Sequence, residues 1–222
     1  MHRTFETELR ELTERLVYMG GIAEKMIDLA IQDLVQRKDT YEKSIAQYED
    51  EVNALQIEID ERVIRLLALQ HPVASDLRLL VMASKIAGEL ERIGDLAVNL
   101  MENTRLLLQY PQLKPLLDIP RMAEVARRML RESLDAFVRK DVPLASKVLD
   151  SDDEVDGLKD QVFNELLTYM LRDPQTIQRA LALILISRNL ERVADHATNI
   201  AEEAIYLVAG RDVRHHHTEA QQ

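Results

Sequence analysis

Apolar residues recur at spacings of three and four along almost the whole chain, the period of helices that bury one face. Prolines and turn-like segments cut this pattern into six helices, expected at about 5–38, 42–70, 73–109, 118–140, 144–171 and 174–208. The hairpin breaks fall at Asp39-Thr40, His71-Pro72, Asp141-Val142-Pro143 and Arg172-Asp173-Pro174. Proline near a helix start is tolerated because its missing N–H would be unpaired there anyway.

The remaining break differs, because Pro111, Pro115 and Pro120 form the only proline cluster, midway along the chain. It reads as a linker between two halves, and the halves resemble each other. Glu89-Leu90-Glu91-Arg92-Ile93-Gly94-Asp95, with Asn99 and Glu102, recurs 100 residues later as Asn189-Leu190-Glu191-Arg192-Val193-Ala194-Asp195, with Asn199 and Glu202. Asp50-Glu51-Val52-Asn53-Ala54-Leu55 recurs as Asp153-Glu154-Val155-Asp156-Gly157-Leu158, and Arg37-Lys38-Asp39 as Arg139-Lys140-Asp141. Three matches in order make duplication the better reading. The expected fold is therefore all-α: two tandem, pseudo-repeated three-helix bundles over 1–110 and 121–210, a linker at 111–120 and a tail at 211–222.

Composition narrows the function. Aromatics are few (3 Phe, 6 Tyr, no Trp), so the core must rest on Leu, Ile, Val, Ala and Met, the palette of a helix bundle. A net charge of -11 opposes binding to nucleic acid. Without cysteine there is no disulfide, thiolate ligand or thiol nucleophile. The N-terminus turns charged at once, unlike a signal peptide, and the longest apolar run, Ala180 to Ile186, is too short to span a bilayer. A cytoplasmic location is expected, with any membrane connection running through partners.

Candidate chemistry lies in acidic pairs one helical turn apart. Ile86, Leu90, Ile93, Ala97 and Leu100 form a core stripe, copied as Ile186, Leu190, Val193, Ala197 and Ile200. Glu91 and Asp95, and their copies Glu191 and Asp195, share the shoulder of that stripe, beside Gly94 and Ala194, which are expected to let another backbone approach. Asn99 and Glu102 extend the face. The preceding helix carries Glu49 with Asn53, and Asp152 with Asp156, at matched distances from the hairpin turn, so antiparallel packing brings both pairs to one level.

An isolated Glu-x-x-x-Asp is usually a solvated face, with Arg92 or Arg192 as an ion-pair partner. Duplication, matched level and the adjoining apolar stripe favour cation binding, because gathered carboxylates repel unless protonated or bridged. Oxygen ligands suit Mg, Ca, Mn or Fe, and Zn is compatible. The extra charge of Asp152/Asp156 over Glu49/Asn53 predicts tighter binding in the second half. His196 stands beside Asp195 and can contribute. His215-His216-His217 reads as a disordered end or an opportunistic metal binder. No phosphate-binding Gly-rich loop, His-Glu-x-x-His or Gly-x-Ser-x-Gly occurs, and no Glu-x-x-His sits at these pairs.

Pro72-Val73-Ala74-Ser75-Asp76-Leu77-Arg78, the Glu91 and Glu191 motifs and the closing Gly210-Arg211-Asp212-Val213-Arg214-His215 together resemble the PhoU family of phosphate-transport regulators. The resemblance spans essentially the whole chain. It implies two three-helix bundles whose surface Glu(Asp)-x-x-x-Asp motifs bind multinuclear metal clusters, iron or zinc, with Mn or Mg left open. The corresponding ligands are Glu49, Asn53, Glu91 and Asp95, then Asp152, Asp156, Glu191 and Asp195, with Asn53 departing from the motif's Asp. It also implies negative regulation of phosphate uptake and of the phosphate-starvation response. The implied partners are the ATPase subunit of the phosphate ABC transporter and a sensor histidine kinase; a homodimer stays open. No catalytic residue is expected. The competing readings are a helical carboxylate-bridged metalloenzyme and a metal-free helical scaffold.

Overall fold

The computed structural model describes residues 2–70 and 72–210, so His71 and the tail from 211, including His215–His217, lie outside the described residues. The helices are α1 (His2–Gln36), α2 (Glu42–Gln70), α3 (Ala74–Leu108), α4 (Asp118–Arg139), α5 (Val142–Asp150), α6 (Asp152–Arg172) and α7 (Ile177–Ala209). No strand occurs among the described residues.

The expected fifth helix, 144–171, is in fact two, α5 and α6, separated by Ser151. The Ser151 hydroxyl donates to the Lys147 carbonyl at 2.9 Å, and its N–H turns back to Val148 O at 3.1 Å. A serine bonding back to the i−4 carbonyl bends a helix, and the tighter i−3 bond ends it. Asp152, Asp153 and Glu154 then fill the first turn of α6, where negative charge suits the helix dipole. The sixth expected helix likewise opens with a 3-10 turn, Pro174–Thr176, before α7.

α1 and α4 end alike. Arg37 and Lys140 both adopt left-handed backbone, with φ of 52° and 57°. The next N–H bonds back to Asp33 O in one half and Ala136 O in the other, the closure of a Schellman motif. The caps equate Arg37 with Lys140, so the repeat offset is 103 here, one more than the Arg-Lys-Asp match indicates. The same offset carries Glu49 to Asp152 and Asn53 to Asp156.

The two bundles share a central layer. α1 packs on α3, α3 on α7, α7 on α4 and α4 on α1, closing a ring of four helices. α2 lies outside against α1 and α3; α5 and α6 lie outside against α4 and α7. Both stripes read from the sequence are fully or almost fully buried. Gly20 permits a close crossing: a methyl there would meet Leu134 Cδ1 of α4 at 2.1 Å and Leu90 Cδ2 of α3 at 3.7 Å. Ion pairs seal the α1–α4 contact, with Arg127 Nη1 at 2.6 Å from Asp28 and Arg131 paired with Glu24. The linker is anchored by Lys114, its side chain only 3% exposed, paired with Glu165 and, at 3.6 Å, with Asp118.

Candidate metal centre

In the first half, Ser84 donates to Asp60 and Arg105 Nη1 donates to Glu42 at 2.6 Å, fixing α2 and α3 in antiparallel register. That register brings Glu49 level with Asp95 and Asn53 level with Glu91. Glu49, Asn53 and Glu91 are half-buried, while Asp95 and Glu102 are exposed. Burial pushes the Glu49 carboxyl up, helped by the charges of Asp95, Asp50 and Glu102. Burial also raises Glu91, with Asp95 adding to it and Arg92 opposing. Of the four residues expected to face each other across the hairpin, Glu49 and Asp95 stand close enough for the Asp95 charge to act on Glu49.

In the second half, Asp152 and Asp156 of α6 lie against Glu191 and Asp195 of α7. Burial pushes Asp152 up to about 6, and Asp195, Asp156, Asp153 and Glu191 reinforce the rise in that order. Asp195 is raised by burial first, then by Glu191 and Asp156. Here the sequence reading missed a residue. Lys159 Nζ donates to Asp156 Oδ1 at 2.7 Å and to Glu191 Oε1 at 3.1 Å, joining α6 to α7 through the cluster. Its signal was available, since a lysine three positions after an aspartate on a helix reaches that carboxylate. Lys159 also cancels the extra charge that predicted tighter binding in this half.

Other expectations change. His196 Nδ1 lies 2.6 Å from Glu89 Oε2, and the Asn199 amide donates to the same oxygen at 3.0 Å. Burial raises Glu89, but these hydrogen bonds more than offset it and its carboxyl titrates below the usual range. His196 and Asn199 therefore join α7 to α3, while His196 stays near enough for its charge to act on Asp195 and Glu91. Exposed Asn99 accepts at its carbonyl from Asn103. Gly94 admits no close backbone: a methyl there would first meet the Val52 and Met26 side chains, at 3.4 Å and beyond.

The donor chemistry fits an oxygen-ligated cation: crowded carboxylates from two helices, open to solvent, whose neighbours raise the proton affinity of Glu49, Glu91, Asp152 and Asp195. The side chains do not present a finished cage. Among the described residues, no three His, Asp or Glu side chains converge closely enough to hold an ion as they stand.

The raised Asp152 has a measurable consequence. Because its folded value of about 6 exceeds the ordinary 3.8, protonation stabilises the fold. That contribution is complete below pH 3.8 and is lost as pH rises through about 6. In chelator-treated protein, Asp152→Asn should therefore gain thermal stability relative to the parent between pH 4 and pH 7. A gap in melting temperature that stays constant with pH would contradict the crowding.

The geometry and duplication agree with the comparisons to known proteins. A model of the PhoU domain matches the chain twice, at residues 16–104 and 119–204. The chain is 40% identical over 210 residues to a phosphate-specific transport system accessory protein PhoU homolog from Aquifex aeolicus, covering 95% of each. It is 38% identical over 212 residues to the homolog from Pseudomonas putida, covering 95% of this chain and 83% of that one. The crystal structure of PhoU from Pseudomonas aeruginosa superposes with a TM-score of 0.89 at 37% identity, covering 93% of this chain and all of that chain. The phosphate transport system regulatory protein PhoU from Streptococcus pneumoniae gives 0.85 at 26% identity, covering 94% and 99%. Two tandem helical repeats, each matched by the same domain and together covering most of each relative's length, make this chain a member of the PhoU family.

Proposed function

We propose that this protein is an accessory regulator of phosphate transport that lowers phosphate uptake and starvation signalling when phosphate is plentiful. It acts as a metal-binding adaptor between the transporter's ATPase subunit and a sensor histidine kinase. Family membership supports the regulatory role, since the relatives are named as accessory or regulatory proteins of phosphate transport. The observation that carries the adaptor reading is the paired acidic faces, one on α2–α3 and one on α6–α7. Glu49, Asn53, Glu91 and Asp95 would hold one metal cluster, and Asp152, Asp156, Glu191 and Asp195 the other. A bound metal would supply positive charge to faces otherwise acidic.

Two similar faces on one chain suit bridging, because the second contact becomes effectively intramolecular once the first has formed. No helix among the described residues is long and apolar enough to cross a membrane, so attachment there falls to partners. The reading assigns no turnover to this chain, which has no nucleotide loop and no Glu-x-x-His at the acidic pairs. The test is fractionation of cells with and without the transporter and the kinase. Membrane association that disappears when both are deleted is expected. Association that persists without either would refute the adaptor mechanism.

A further inference from the structure

We infer that Lys159 is a built-in counter-cation of the second acidic cluster, so that the first cluster loads with metal at a lower metal concentration than the second. This rests on the reading that both clusters take metal. The Lys159 ammonium lies 2.7 Å from Asp156 and 3.1 Å from Glu191, one carboxylate from each helix. It thus spans the gap that a bridging metal would have to span. The side chain is only 25% exposed, so the ammonium is held between the two helices. An incoming ion must therefore displace a fixed positive charge or share its ligands with one.

Among the described residues, no lysine or arginine bridges Glu49, Glu91 or Asp95 in this way. The offset of 103 that carries Glu49 to Asp152 and Asn53 to Asp156 carries Gln56 to Lys159. Gln56 also reaches the facing helix, its Nε2 being 3.8 Å from where a methyl on Gly88 would stand. It arrives there neutral, as an amide able to offer an oxygen. Glu49, Asn53, Glu91 and Asp95 bring three carboxylates and one amide, whereas Asp152, Asp156, Glu191 and Asp195 bring four carboxylates that hold one ammonium. Formal charge is equal. What differs is that one site must first release a cation of its own.

The experiment is calorimetric titration of the full chain with Mn²⁺, isolating each cluster by disabling the other. In a Glu91→Ala/Asp95→Ala background, Lys159→Gln should tighten binding at the second cluster at least about tenfold, or about 1.4 kcal/mol. In a Glu191→Ala/Asp195→Ala background, Gln56→Lys should weaken the first cluster by a similar factor. The rise in melting temperature on adding Mn²⁺ should move in the same directions, and Lys159→Met provides a second neutral replacement. Unchanged or weaker binding by both Lys159 variants, with Mn²⁺ still bound, overturns the inference and leaves the metal reading standing. Absence of Mn²⁺ binding in every protein overturns both.

Discussion

Leu90→Ala should destabilise the protein by about 2–5 kcal/mol, the cost of a cavity in a well-packed core. Leu90 is fully buried, and its Cδ2 closes over Gly20 where Leu134 arrives from the other half. Truncation therefore opens a void where α1, α3 and α4 meet, and the loss reaches both bundles. For a chain of this size it corresponds to a fall in melting temperature of about 4–20 °C. Leu190, equally buried on α7, should behave alike. Thermal melts followed by circular dichroism decide the matter. A shift of less than a degree or so would mean that the central ring does not hold the halves together as described.

The second large effect concerns metal. Replacing Glu91, Asp95, Glu191 and Asp195 together by Ala should weaken metal binding at least about a hundredfold. Substitutions one shell further out already cost about 10–100-fold at metal sites. The metal-free fold should survive, because Asp95 is exposed, Glu91, Glu191 and the Asp195 carboxyl are at most partly buried, and the carboxylates repel one another. Removing that repulsion should leave the apo melting temperature unchanged or slightly raised. Elemental analysis of protein purified without tags or chelators reads the first outcome, and circular dichroism the second. A large loss of helix in this variant would show that the carboxylates are structural.

The helices and the paired acidic residues were legible because both are periodic. A stripe such as Ile86, Leu90, Ile93, Ala97 and Leu100 announces a buried face, and the matched hairpin arms then fix which acidic residues stand level. The kink at Ser151 was not legible, since a serine inside a helical pattern looks neutral until its hydroxyl is seen bonding to Lys147 O. Nor was the pairing of α3 with α7. Helical period shows that a face is buried but not which helix covers it, so Glu89 meeting His196 and Asn199 emerges only in three dimensions. Lys159 is legible in physical terms, because a lysine three positions after an aspartate on a helix reaches its carboxylate.

The most direct measurement is a phosphate-responsive reporter in cells carrying either the parent protein or the four-carboxylate variant, under plentiful phosphate. Immunoblots should confirm equal amounts of folded protein, so that only the acidic faces differ. The account predicts repression by the parent and loss of repression by the variant, since it holds that partners engage the proposed metal-bearing faces. Full repression by a variant that binds no metal would contradict it.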